Sequence, residues 1–154
     1  MELPQILKSS AVKVLSSQSS KKRLFQELAD VAETSYGLKA DIVVDALLER
    51  ESLGPTGVGH GVALPHARIP DLDHVVGIFV RLENPVDFDA VDRQPVDLVF
   101  CLLAAQNAGV DHLKALALVS RTMRDGDVCA KLRANGEAGT LHAILTEFPA
   151  SKAA

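Results

Sequence analysis

Two histidines, His60 and His66, stand in the stretch GVGHGVALPHARIP, from Gly57 to Pro70, among glycines, small apolar residues and two prolines. An imidazole can ligate a metal, work as a base, become a covalent nucleophile or fill a corner of the core. The neighbours narrow the choice. No cysteine lies close by, and the first acid is Asp71, just past the stretch.

Each of these chemistries has its own spacing. A phosphate-binding P-loop needs Lys-Ser or Lys-Thr after its glycines, and GPTGVGHG is followed by neither. Gly57, Gly59 and Gly61 do not form G-x-G-x-x-G, and the segment before them reads as a helix rather than a strand. A metal site could still be assembled from His60, His66, His74, His112 and His142, but no HExxH or cysteine cluster supports one, so no metal ligand is assigned. His74 and His142 read as ordinary loop and helix residues. A serine nucleophile lacks its G-x-S-x-G, and Cys101 lies inside an apolar run. The imidazole itself is then the candidate group.

Leu64-Pro65-His66 constrains that imidazole. Proline fixes its own φ, drives Leu64 toward an extended backbone and sets the point from which His66 projects. A histidine at a strand end can present one ring nitrogen outward while an acceptor on the other selects the tautomer, as a nucleophilic imidazole requires. The same residues fit a strand-end histidine that merely bonds to backbone. On this chemistry alone the two readings stand level.

The elements that must position the stretch can be read from periodicity. Lys21 to Tyr36 repeats Leu24, Phe25, Leu28 and Val31 on one helical face, with Ser19 or Ser20 to cap it and Gly37 to stop it. A second helix from about Asp41 to Glu51 turns Ile42, Val43, Ala46 and Leu47 inward and delivers Arg50 to the glycine-rich stretch. Gly61 to Ala67, Val75 to Leu82 and Val96 to Leu103 read as strands; VDLVFCLLAA is apolar on both parities, as in a central strand covered on two faces. The intervening LENPVDFDAVDRQP reads as a crossover or pair of turns. Asp111 is placed to cap a helix carrying Leu113, Leu116, Leu118 and Val119, and shorter helices follow from Asp127 to Asn135 and Ala138 to Phe148, with a frayed tail from Pro149. The expected fold is an α/β single-domain sandwich over residues 1–154, with a small mixed central sheet flanked by helices.

Bulk properties bound the function. The chain has 154 residues, 47% hydrophobic and 23% charged, enough for one domain with a real core and unlike a disordered chain. Its formal charge of −4 gives no general attraction to nucleic acid. The MELPQILKSS start lacks the pattern of a secretory signal, and Val96 to Ala105 is too short to span a bilayer, so no membrane insertion and a cytoplasmic location are expected. Cys101 and Cys129 are expected to be buried free thiols.

RESLGPTGVGHGVALPHARI, from Arg50 to Ile69, closely resembles the phosphorylation-site region of the IIA proteins of the bacterial phosphoenolpyruvate-dependent phosphotransferase system, the fructose/mannitol type and its nitrogen-related relatives. That pattern runs from an Arg-Glu pair through Thr-Gly-Val-Gly to Ala-Leu-Pro-His. SSQSSKKRLFQELAD resembles the family's first helix, FDAVDRQPVDLVFCLLA the strand region of the nitrogen-related branch, and DHLKALALVSRTM the later helix that opens with a second active-site histidine. The resemblance implies His66 as phosphoryl acceptor through Nε2, His112 as the neighbouring histidine contacting the phosphoryl group, and Arg50 as the nearby arginine. Thr56, Gly57, Gly59, His60 and Gly61 are then candidate phosphoryl-loop residues and Arg68 a rim residue. His60 departs from the asparagine common in the nitrogen-related type.

The resemblance further implies an upstream histidine phosphocarrier of nitrogen-branch (NPr) or sugar-branch (HPr) type as partner, with no cofactor, and regulated proteins that respond to the phosphorylation state. A sugar-specific IIA passing phosphate to a IIB transporter domain is the alternative. A non-phosphorylated binding module is a third reading, against which the presence of both His66 and His112 argues.

Overall fold

The chain builds α1 (Leu3–Ile6), a 3₁₀ turn (Ser9–Ala11), β1 (Val12–Leu15), α2 (Lys21–Tyr36), α3 (Ala40–Ser52), β2 (Gly57–Gly59), β3 (Val62–Ala63), β4 (His66–Ile69), β5 (Val76–Val86), β6 (Val96–Ala105), α4 (Val110–Arg124), α5 (Gly126–Ala134) and α6 (Ala138–Thr146). The computed structural model describes residues 1–16, 18–107 and 109–147. The expected extension of the last helix to Phe148 and the tail from Pro149 lie outside these residues.

β6 is the spine. All of its residues from Leu98 to Ala104 are buried, so both of its faces are covered, as its unbroken apolar run requires. The sheet order is β1-β5-β6-β3-β2, with β4 also on β6. β5 runs antiparallel to β6, whereas β1 on β5 and both β3 and β4 on β6 are parallel, so the sheet is mixed. The α/β fold with helices against a mixed central sheet is therefore as expected.

α2 begins where Ser20 accepts a hydrogen bond from the Arg23 N–H and ends at Gly37, whose φ of 70° closes the helix in the left-handed conformation. Its Leu24, Phe25 and Leu28 are fully buried. Each such side chain contributes roughly 1.5–3 kcal/mol by leaving water. Phe25 meets Phe88 edge to face at 5.9 Å, which ties α2 to the segment after β5.

Several expectations change. The run Gly61 to Ala67 is not one strand. Pro65 has no N–H to give, and Leu64-Pro65 separates β3 from β4, although the Leu102 N–H still donates to Pro65 O at 2.9 Å. β5 runs on to Val86 because Pro85 falls in the register irregularity between Arg81 and Val86, where no ladder donor is required. Asp111 does not cap α4. Gly109 occupies that position, and no side-chain cap is seen among the described residues; Asp111 sits in the first turn, where its charge suits the helix dipole. Of the four apolar residues expected to face inward from α4, Val119 is buried and Leu116 and Leu118 pack half-buried against the core, whereas Leu113 is 67% exposed; His112, Ala115, Thr122 and Met123 complete the inner face. Strands β1 and β2 and helix α1 are too short to have shown a period of their own. Cys101 and Cys129 are free and buried.

Candidate functional site

The glycine-rich stretch is a hairpin. β2 and β3 are antiparallel, with Gly59 opposite Val62, and the two residues between them, His60 and Gly61, have φ of 56° and 77°. Two successive positive φ values are what a tight hairpin turn of the primed type demands. An asparagine tolerates this position better than most residues, so His60 occupies a site where an Asn would be at ease. The turn is anchored to α5: Arg133 Nη2 donates to His60 O at 2.7 Å, while its Nε and Nη2 hold Asp97 of β6 at 3.0 and 2.9 Å. The His60 N–H is taken by Asp92 at 2.9 Å.

Beyond the hairpin, Leu64-Pro65 places His66 at the start of β4. Its Nδ1 lies 2.9 Å from Leu64 O. A carbonyl can only accept, so Nδ1 carries the proton and Nε2 presents its lone pair. Arg50 Nε faces that lone pair at 3.4 Å, and Arg50 Nη1 donates to Gly54 O at 2.9 Å.

His112 comes from the far side of the sheet path. β4 pairs with β6 in parallel, His66 opposite Leu102, and α4 begins shortly after β6 ends. His112, in the first turn of α4, thereby meets His66 edge to face, with ring centroids 5.6 Å apart and planes at 79°. This is the carboxyl end of β6, where open α/β sheets place their ligands. Arg50, His66, Arg68 and His112 line one cavity of about 440 Å³, with Leu53 and Glu49 on its rim. Arg68 Nη1 is tied to Gln106 O at 3.0 Å.

His112 is 8% exposed, and its Nδ1 is sealed from solvent with no hydrogen-bond partner among the described residues. Burial, then the charges of His66 and Arg68, hold its pKa below the usual histidine value. A proton on Nδ1 would leave a buried donor unmatched, which costs more than a bare lone pair in the same place. The neutral ring with its proton on Nε2 is the form this site favours, and that form offers a donor.

The predicted residues therefore divide. Arg50, His66, Arg68 and His112 converge. Gly59 and His60 line a separate cavity of about 610 Å³ beside Met123, Arg124 and Arg133. Gly57 is packed against Ala90 and Phe88, and Gly61 against Arg133 and Asp97, each too closely for a Cβ. Thr56 is 5% exposed and gives its hydroxyl to Glu51 at 2.6 Å. Glu51 was not among the assigned site residues, although it is the glutamate of the Arg-Glu pair that opens the resembling stretch.

The profile of the phosphoenolpyruvate-dependent sugar phosphotransferase system, EIIA 2, matches residues 5–148. The chain belongs to the PTS EIIA type-2 family. It is 49% identical over 135 residues to the nitrogen regulatory protein of Bradyrhizobium diazoefficiens, covering 88% of each chain. To the nitrogen regulatory protein of Klebsiella oxytoca it is 38% identical over 148 residues, 96% of this chain and 91% of the relative. The crystal structure of nitrogen regulatory protein IIA-Ntr from Neisseria meningitidis superposes with a TM-score of 0.84 at 38% identity, over 92% of this chain and 97% of that one. The IIA mannitol structure from Escherichia coli shares the fold, with a TM-score of 0.74 at 19% identity over 90% and 97% of the two chains. This EIIA type-2 chain is thus a phosphotransfer domain whose near relatives are of the nitrogen-regulatory kind. No helix among its described residues is long and apolar enough to cross a membrane.

Proposed function

We propose that this chain accepts a phosphoryl group on His66 Nε2 from a histidine of an upstream phosphocarrier and acts, in that state and without it, on regulated partner proteins. The observation that carries the reading is the opposed pair of contacts on one ring: Leu64 O holds Nδ1–H, and Nε2 faces Arg50 in a cavity shared with His112.

In the transfer, the donor's P–N bond breaks and its electron pair returns to the donor imidazole as the Nε2 lone pair of His66 forms the new P–N bond. The transition state is loose, with negative charge on the equatorial oxygens, so alignment and fixed donors dominate the rate. Arg50 supplies a cationic fork, and His112 a neutral N–H donor that needs no reorganisation. Proton loss from His66 Nδ1 is unnecessary, because Leu64 O stabilises the positive ring while the phosphoryl group is attached.

The nitrogen-regulatory names of its relatives support a regulatory output rather than sugar uptake. A phosphate at His66 adds about two negative charges to a half-buried rim, enough to make or break a protein interface. The test is phosphate acceptance by wild type and His66→Ala from phosphoenolpyruvate, the system's first enzyme and either the nitrogen-branch or the sugar-branch carrier. An acid-labile, base-stable mark on wild type alone, formed faster with the nitrogen-branch carrier, is expected. Equal labelling of His66→Ala would overturn the assignment, and faster transfer from the sugar-branch carrier followed by passage to a IIB domain would replace regulation with transport.

A further inference from the structure

Glu51 touches none of the reacting atoms, yet a continuous chain of contacts leads from it to both nitrogens of His66. Its side chain is only 7% exposed at the end of α3. One carboxylate oxygen accepts from Lys21 Nζ at 2.9 Å and the Thr56 N–H at 3.0 Å; the other accepts from the Thr56 hydroxyl at 2.6 Å. Three donors hold the carboxylate, and two of them grip Thr56 by both backbone and side chain.

From Thr56 the first branch runs to Nδ1. Thr56 O accepts from the Leu64 N–H at 2.9 Å, and Leu64 O in turn holds His66 Nδ1 at 2.9 Å. The second branch runs to Nε2. Clamping Thr56 to α3 closes the loop from Leu53 to Pro55, so that Gly54 O takes Arg50 Nη1 and Arg50 Nε is aimed at Nε2. Gly54 O is a half-buried loop carbonyl, held between this closure and the Gly54 N–H bond to Glu51 O at 3.2 Å. Lys21, at the first position of α2, lies over the Phe88 ring at 5.1 Å and anchors the clamp to the core.

We infer that Glu51 is a positioning residue for phosphoryl transfer: through Thr56 it sets the Nδ1–H tautomer of His66 and the aim of Arg50. The inference rests on His66 being the acceptor. A merely stabilising carboxylate would change the midpoint of unfolding and leave the state of the His66 ring alone, so the two roles can be told apart.

The experiment compares wild type, Glu51→Gln, Thr56→Val and Thr56→Ser by three readouts. These are the rate of phosphorylation by the carrier as a function of carrier concentration, the His66 tautomer from long-range ¹⁵N–¹H correlations, and the thermal midpoint. Glu51→Gln and Thr56→Val are expected to lower the saturated rate by about tenfold or more, the scale of a slightly misplaced reacting group, with the carrier KM nearly unchanged. Their His66 ring should show a mixed tautomer, and Thr56→Ser should restore wild-type rate and tautomer. If Glu51→Gln does not fold, Thr56→Val, which keeps the backbone contact, decides the matter. A lowered midpoint with wild-type rate and an undisturbed His66 Nδ1–H would overturn the inference. Should wild type accept no phosphate from either carrier, the functional reading fails, while the tautomer comparison still decides whether Glu51 sets the ring.

Discussion

The His66 and His112 rings meet edge to face at 5.6 Å, one half-buried with its Nδ1 tied to backbone, the other buried with its Nδ1 unmatched among the described residues. The pairing gives two imidazoles unlike roles. One exposes a lone pair, and the other offers a proton it is reluctant to exchange for a charge.

His112 makes stability depend on pH. Its folded pKa lies below the usual 6.5, so near and below that value the unfolded chain binds more protons than the folded one. The stability contribution is present above the unfolded pKa and is lost as pH falls toward the folded one. Urea unfolding of wild type should weaken from pH 7.5 to 5.5, and His112→Gln should flatten that part of the profile. An unchanged slope in the variant would place the dependence elsewhere.

Arg50 should resist conservative replacement. Its Nη1 holds Gly54 O while its Nε faces His66, a fork that a lysine ammonium on a flexible stem cannot reproduce. Arg50→Lys should fold normally and be phosphorylated roughly ten- to a hundredfold more slowly, a loss of about 1.4–2.7 kcal/mol in transition-state stabilisation. Stopped-time labelling beside a thermal melt measures both.

The hairpin turn separates conformation from chemistry. Gly61→Ala forces a left-handed φ of 77° on alanine and drives a Cβ to 2.6 Å from Arg133 Nη2. It should destabilise the protein by at least about 1–2 kcal/mol in chemical denaturation. His60→Asn keeps the positive φ and the backbone contacts to Asp92 and Arg133, so both stability and phosphate acceptance should stay at wild-type levels. A large loss of acceptance in His60→Asn would bring the His60 side chain into the reaction.

Both thiols should be silent. Burial raises the pKa of Cys101 far out of range and lifts that of Cys129, whose sulfur also donates to Met123 O. Ellman's reagent should label neither at pH 8 in the native protein and both in guanidinium. Prompt native labelling would mean that the α4–α5 corner opens readily.

The helices α2 and α3 were legible because their signals are local: Ser20 and Gly37 at the ends of one, and an apolar stripe in each. β6 was legible because a strand buried on both faces has little choice but to be apolar throughout. The hairpin at His60-Gly61 was not, since His-Gly lacks the Asn-Gly signature of its turn. Leu113 of α4 was misplaced for a different reason. Leu113 outweighs His112 and Ala115 in hydrophobicity, but docking against β6 and α5 selected the face that holds His112, Ala115 and Val119, with Leu116 and Leu118 half-buried at its edges, and left Leu113 in water.

By itself the sequence placed one acceptor beside His66: Pro65 fixes the backbone between Leu64 and His66 and brings the Leu64 carbonyl within reach of Nδ1, while a nucleophilic and a strand-end role for the ring stayed level. Tertiary structure decided everything that ring faces. His112 arrives only because β4 runs beside β6 and α4 follows it, and Glu51 becomes a buried clamp only because Lys21 is brought to it from the start of α2. Such contacts depend on how helices seat on a sheet, and that is set by the packing of the whole core rather than by any local run of residues.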